Sequence, residues 1–366
     1  MKNIFLFIVF SFLTLTSVSA FSWGGRGHHT LCDAAVYLVQ DPDLQKFLKS
    51  RPHTMGHLCN IPDIYWKSLS GEYTKQGNFT HFLDTEITGL KLKDISTDFS
   101  KLSTEFTGKK KANKDSHIVS FPHEFGSLWW RAQQFYQRSL EGGKQAGAAT
   151  NPQNQKEEQD ENQSYNKGVY QFFTNLGLMG HFVGDAAQPL HNTDDYDGFE
   201  KGHGGLHSYY EDFALTSMDH SLSSKVLAAA QQMQKKSKSL PFLSAHQPIE
   251  KVKALSIVTF DDLPKLLEAD ALIKPSEVKR EKGMEIKKVA ERAPFTKTKP
   301  KFEKLLVTHL ARGAVTLAAL WDQAYLEAGK PSLAAYRSFK YPFTPEFVMP
   351  DYYQIPSSDS KSNSGK

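Results

Sequence analysis

Apolar residues recur at every third or fourth position in six stretches: 30–40, 125–140, 169–187, 206–214, 222–235 and 302–328. That is the period of a helix with one buried face. Strand-like alternation is scarce. Residues 256–260 and 348–355 have extended character, but neither has a partner run across a turn. The pattern predicts an all-α fold with long loops. Between the helices, 141–168 is rich in Gly, Gln, Asn, Lys and Glu, and reads as a loosely held polar insertion that cannot offset its ordering entropy. Residues 240–301, charged and punctuated by prolines, read as an irregular surface excursion with a short helix near 276–292. Residues 357–366 form a polar tail, and no internal repeat is visible. The expectation is one domain over 23–356, with its core in 23–140 and 169–240 and the 302–328 helix closing it.

The first 22 residues are set apart by their own pattern. A short positive head at Lys2 precedes an apolar run over 4–16 and then small residues, the layout of a cleaved secretory signal. Cleavage before Phe21 and cleavage before Trp23 both suit it. The mature chain is then expected to be secreted or periplasmic. Removing Lys2 with the signal lowers the formal charge from +4 to about +3, too weak a bias to mark a nucleic-acid surface. Cys32 and Cys59 are the only cysteines. Export permits a disulfide between them, and two buried thiols are equally compatible with the sequence.

The densest chemistry lies in Gly180-His-Phe-Val-Gly-Asp-Ala-Ala-Gln-Pro-Leu-His191. His181 and Asp185 stand four apart, so on a helix they share a face, about 5–6 Å apart at Cβ. Pro189 discourages continuation of that helix and aims His191 at a neighbouring point. Imidazole and carboxylate together are zinc-type ligands. His207 and Glu211 repeat the pairing downstream, while His28, Asp63 and His81 stand upstream. Each of these alone has an ordinary explanation: a core histidine, a helix-capping Asp63, a solvated Glu211. Two His–carboxylate pairs bracketing a His-bearing turn point instead to a multinuclear metal site.

The order Trp23-Gly-Gly-Arg-Gly-His28, Asn60-Ile-Pro-Asp63, Thr80-His81-Phe82-Leu83-Asp84, the 180–191 segment and His207-Ser-Tyr-Tyr-Glu211 resembles a known superfamily. It is the zinc-dependent one that joins single-strand-specific nucleases of the S-one/P-one type to bacterial phospholipase C. The likeness covers most of 23–214 and returns at His309-Leu-Ala-Arg-Gly-Ala-Val-Thr-Leu-Ala. The resemblance implies cleavage after Ser22 and three zinc ions. One ion would take the amino group and carbonyl of Trp23 with His28 and Asp185. A close second would take Asp63, His81, His181 and the shared Asp185; the third would take His191, His207 and Glu211. Asp63 and Asp185 would be the catalytic carboxylates of a hydrolase that uses zinc-activated hydroxide on a phosphodiester.

The resemblance divides at the substrate. Phe82 and Asp84 match the nuclease branch's base pocket, one stacking on a base and the other bonding its edge. The step from Trp23 to His28 is also nuclease-like. Against this, Glu211 stands where nucleases show aspartate, and the gap from His191 to His207 is short, as in the phospholipases. Where the nucleases place a phosphate-binding arginine, this chain has Trp66 followed by Lys67. Lys67 offers a point charge without arginine's fork, while Trp66 suits either a choline-like headgroup or the core. The expected activity is cleavage of single-stranded nucleic acid with 3′-nucleotidase action, the alternative being hydrolysis of phosphatidylcholine-like lipid. Neither requires a protein partner.

Overall fold

The computed structural model describes residues 23–51, 53–337 and 341–353. The signal-like segment 1–22 and the tail 357–366 lie outside the described residues. The described residues are 62% helix and 6% strand, as the all-α expectation requires. The helices that position the site are α1 (Gly24–Leu38), α2 (Pro42–Lys49), α3 (Thr54–Ile64), α4 (Leu128–Ala148), α5 (Ser164–Ala186), α6 (Leu222–Lys235), α7 (Pro248–Phe260) and α8 (Phe295–Glu327).

The hub is α5. Every residue over 172–186 is buried, which fits a helix that is apolar all round and surrounded by others. Phe135 of α4 stacks on its Phe182, and Gly142 of α4 lies against the Phe172 backbone, so the two helices run antiparallel. On another side, α1 and α3 approach closely because α5 carries glycine where they cross. A Cβ on Gly180 would sit 2.5 Å from Cys59 Sγ and 2.7 Å from Cys32 Sγ. Those two sulfurs form a disulfide that ties α1 to α3. The long α8 closes the bundle, with its Trp321 indole donating to the Leu176 carbonyl at 2.9 Å.

Three expectations need correction. The stretch 141–168 is not a loose insertion: α4 runs to Ala148, α5 begins at Ser164, and the short helix Gln155–Glu158 lies between them. Its glycines serve helix crossing, since a Cβ on Gly168 would meet Ala146 N at 2.5 Å. Residues 256–260 are helical, within α7. The 240–301 region is ordered too. It holds α7, the helix Leu263–Ala269 and, in place of a helix near 276–292, two antiparallel pairs. In these, β1 (Leu272–Lys274) pairs with β4 (Glu291–Arg292), and β2 (Glu277–Glu281) with β3 (Met284–Lys288). Lys282 (φ 51°) and Gly283 (φ 80°) are both left-handed, the conformation of a tight two-residue hairpin turn.

Candidate metal centre

Four elements aim side chains at one buried point beside α5. His181 and Asp185 come from its last two turns, His28 from α1, Asp63 from the end of α3, and His81 from the short turn Phe79–His81. All five are buried, with His28, His181 and Asp185 fully so. Gly184 makes room for His28: a Cβ there would lie 2.7 Å from its Nδ1.

The contacts are close and mixed. His28 Nε2 is 3.4 Å from Asp185 Oδ1, and His81 Nδ1 is 3.0 Å from Asp185 Oδ2. His181 Nε2 lies 3.3 Å from Asp185 Oδ2, 3.5 Å from Asp63 Oδ1 and 3.0 Å from His81 Nδ1. Asp185 thus faces three imidazoles. His181 donates from Nδ1 to the Cys59 carbonyl at 2.8 Å, which fixes its tautomer and leaves Nε2 as the lone-pair atom. That carbonyl belongs to the disulfide-bonded cysteine of α3, so the bridge supports a metal-type histidine directly.

A second group adjoins the first. His191, His207 and Glu211 are buried, with His191 Nε2 3.0 Å from Glu211 Oε1 and His207 Nε2 2.6 Å from Glu211 Oε2. The latter pair is not aligned as a hydrogen bond, and His207 Nδ1 has no hydrogen-bond partner among the described residues. His191 donates from Nδ1 to the His81 carbonyl, again leaving Nε2 for the site. Glu211 lies on a π-helical run, Tyr209–Ala214, a winding that recurs at functional sites.

The electrostatics follow from placing so many groups out of water. Burial alone would raise Asp185, yet His181 and His191 hold it well below the ordinary carboxylate range. Burial lowers His81 to about 3, with Lys67 adding to the effect. Burial would also lower His191, but Asp185 and Glu211 together raise it to about 9. Carboxylates held ionised among imidazoles are a donor set for divalent cations. Three such groups form here: His28, His181 and Asp185; Asp63, His81 and His181; His191, His207 and Glu211. Asp63 Oδ2 has no hydrogen-bond donor among the described residues, as a ligand oxygen would not. The residues fit metal ions.

The remaining sequence candidates lie around this centre. Trp23 is fully buried and its indole donates to the Gly184 carbonyl at 2.6 Å, one residue from Asp185. Lys67 Nζ is 2.6 Å from Asp63 Oδ1, so the lysine beside the ligand carboxylate reaches the centre. Trp66 is core: it is 4% exposed, stacks on Phe135 and donates to the Pro345 carbonyl. Phe82 and Asp84 are half-buried on a segment pinned from both sides. Leu83 N donates to the His191 carbonyl at 2.9 Å and Asp84 N to the Phe125 carbonyl at 2.7 Å. Gly126 (φ 86°) is needed here, because a Cβ would collide with the Phe82 carbonyl. Burial, with Asp194 and Glu86 nearby, pushes the Asp84 carboxyl well above its usual range.

Two supporting residues escaped sequence reasoning. Gln188 donates to Glu211 Oε1 and accepts from Leu190 N, orienting the carboxylate and capping the turn that carries His191. Asp262 bonds His309 at 3.3 Å and Arg312 at 2.6 Å, and His309 bonds the Tyr210 hydroxyl next to Glu211. Pro189, the next residue, hints at Gln188's place, but no local signal marks Asp262. His203 bonds Asp270 at 2.9 Å. No protein-family model and no curated protein matches the chain.

Proposed function

We propose that the chain is a zinc-dependent phosphodiesterase of the single-strand nuclease and phospholipase C type, acting on single-stranded nucleic acid with 3′-nucleotidase action. What carries the reading is the convergence of eight sequence-nominated ligands into three buried donor groups, two of them sharing His181. Trp23, His28 and Asp185 would hold one ion; Asp63, His81, His181 and Asp185 a second; His191, His207 and Glu211 a third. Zinc when bound supplies Lewis acidity and lowers the pKa of water to about 7.

The chain's own residues do the rest. Asp185 and Asp63 keep compensating negative charge at the centre, while His181 and His191 are locked in one tautomer by carbonyl acceptors. Lys67, whose ammonium rests on Asp63, is placed to meet a phosphate oxygen as a point charge. Phe82 offers an aromatic face to a base, worth about 1–3 kcal/mol by stacking. Asp84, held towards its protonated form, offers both an O–H and a C=O to a base edge.

The same centre would serve a phospholipase C, a reading favoured by Glu211 as the last ligand. The burial of Trp66 removes the aromatic that would have lined a choline pocket, and supports the nuclease instead. The test is a parallel assay of zinc-loaded protein beginning at Trp23 on single-stranded DNA or RNA and on phosphatidylcholine. Faster turnover of the lipid would reverse the assignment, and turnover of neither would remove it.

A further inference from the structure

A cavity of about 890 Å³ lies between α2, the start of α3, the middle of α5 and the segments 330–337 and 341–343. It is not the metal centre, since none of the ligands lines it. Its walls are aromatic: Phe47, Tyr170, Phe173, Tyr336, Tyr341 and Phe343. Its charged groups are Lys46, Arg51, Lys330 and Arg337 against Asp43, so the lining is net positive. Arg51 stands 3.8 Å over the Phe47 ring and donates to the Phe47 and Tyr336 carbonyls, which makes it part of the wall. Lys330 is paired with Asp41 at 2.9 Å. Lys46 and Arg337 are exposed at the edge.

The cavity and the metal centre are built on the same two helices. Thr174 of α5 lines the cavity seven residues before His181, about 10 Å along the axis. Leu58 of α3 lines it five residues before Asp63. Exposed aromatic surface bridges the interval. Phe343, 59% exposed, stacks on His57 at 3.9 Å, and His57 meets Tyr65, 41% exposed, two residues before Lys67.

From this we infer that single-stranded nucleic acid binds along this aromatic and basic track, from the cavity over Phe343 and Tyr65 to Lys67, so that the protein holds several nucleotides beyond the one at the metals. The inference rests on the nuclease reading of the centre and names its preferred substrate as a polymer. Stacked aromatics alternating with cations suit a strand whose bases are unpaired, because every base has a π-face and every link a negative charge. An aliphatic lipid tail would not need the exposed cations, and a lone nucleotide would not need the track.

The test separates binding from cleavage. Binding of a fluorescein-labelled phosphorothioate dT20 to the zinc-loaded protein is followed by anisotropy, and hydrolysis of the dinucleotide TpT is followed separately. Phe343→Ala should weaken dT20 binding about ten-fold, since a stacked base is worth at least that in many sites. The double variant Lys46→Ser/Arg337→Ser should lower the slope of log affinity against log salt by about 1.4, for two lost phosphate contacts. TpT hydrolysis should change less than two-fold in both, and both sets of side chains are exposed enough to leave folding intact. Unchanged dT20 affinity and salt slope in these variants would overturn the track even if TpT is cleaved. Displacement of dT20 by phosphatidylglycerol vesicles that bind through Phe343 would overturn it in favour of a lipid surface. Loss of TpT cleavage in the parent protein with dT20 binding still sensitive to Phe343 would strike the reading of the centre and leave the track standing.

Discussion

Replacing Gly184 with alanine separates the geometry of the metal centre from the stability of the fold. The added methyl would lie 2.7 Å from His28 Nδ1 and 2.9 Å from its Cε1, where ordinary contact begins at 3.4 Å. The imidazole or α1 must therefore give by about 0.7 Å, in an interior packed too tightly to absorb it freely. Overpacking costs about 1–3 kcal/mol. Removing a glycine from a helix interior returns about 1 kcal/mol, so the net loss is roughly 0–2 kcal/mol. The protein should fold, with a melting temperature lowered by a few degrees. The effect on the ion held by His28 should be larger, because disturbing the support of a ligand typically costs 10–100-fold in metal affinity. Zinc affinity is read by competition with a chromophoric chelator, alongside thermal melts in excess chelator. Gly177→Ala is the control, since its methyl would meet Leu58 and no ligand. A folded Gly184→Ala protein that binds every zinc ion with parental affinity would refute the placement of His28 in the centre.

Other expectations follow from the same contacts. Serine at both Cys32 and Cys59 opens a loop with sequence separation 27, which should cost about 3–4 kcal/mol in a denaturant titration, and zinc affinity should fall as the Cys59 carbonyl loosens on His181. Lys67→Ala leaves Asp63 buried without its ammonium partner; the metal-free protein should lose roughly 3–5 kcal/mol while the zinc-loaded form loses less, and KM for a phosphodiester should rise. His191 is raised to about 9 in the metal-free chain, so below that pH it carries a proton that a metal must displace. Calorimetry at pH 7.5 in buffers of different ionisation enthalpy should show proton release on zinc binding, shrinking as the pH passes 9.

Much of the candidate centre was legible because its donor residues obey local rules. His181/Asp185 and His207/Glu211 are one helical turn apart, and a proline fixes the break before His191. The long helices were legible for the same reason, their apolar faces being periodic. Residues whose role depends on a distant neighbour were hidden. The glycines of 141–168 have the composition of a flexible linker, yet Gly142 and Gly168 are where α4 and α5 touch. The hairpin at β2 and β3 is charged on both faces, so no alternation announced it, and its turn is Lys282-Gly283 where Asn-Gly or Asp-Gly would have been recognised. The disulfide needed the crossing of α1 and α3 over Gly180, which no spacing along the chain reveals.

If the proposed chemistry is right, the donor groups on α1, α3, α5 and the 191–211 segment hold metal. Zinc per chain, measured by plasma mass spectrometry on protein beginning at Trp23 after dialysis against buffered zinc, tests it most directly. Three ions are expected, one for each donor group, falling when Asp185 is replaced by asparagine. A folded protein that retains no zinc, or an Asp185→Asn variant that keeps the full complement, would contradict it.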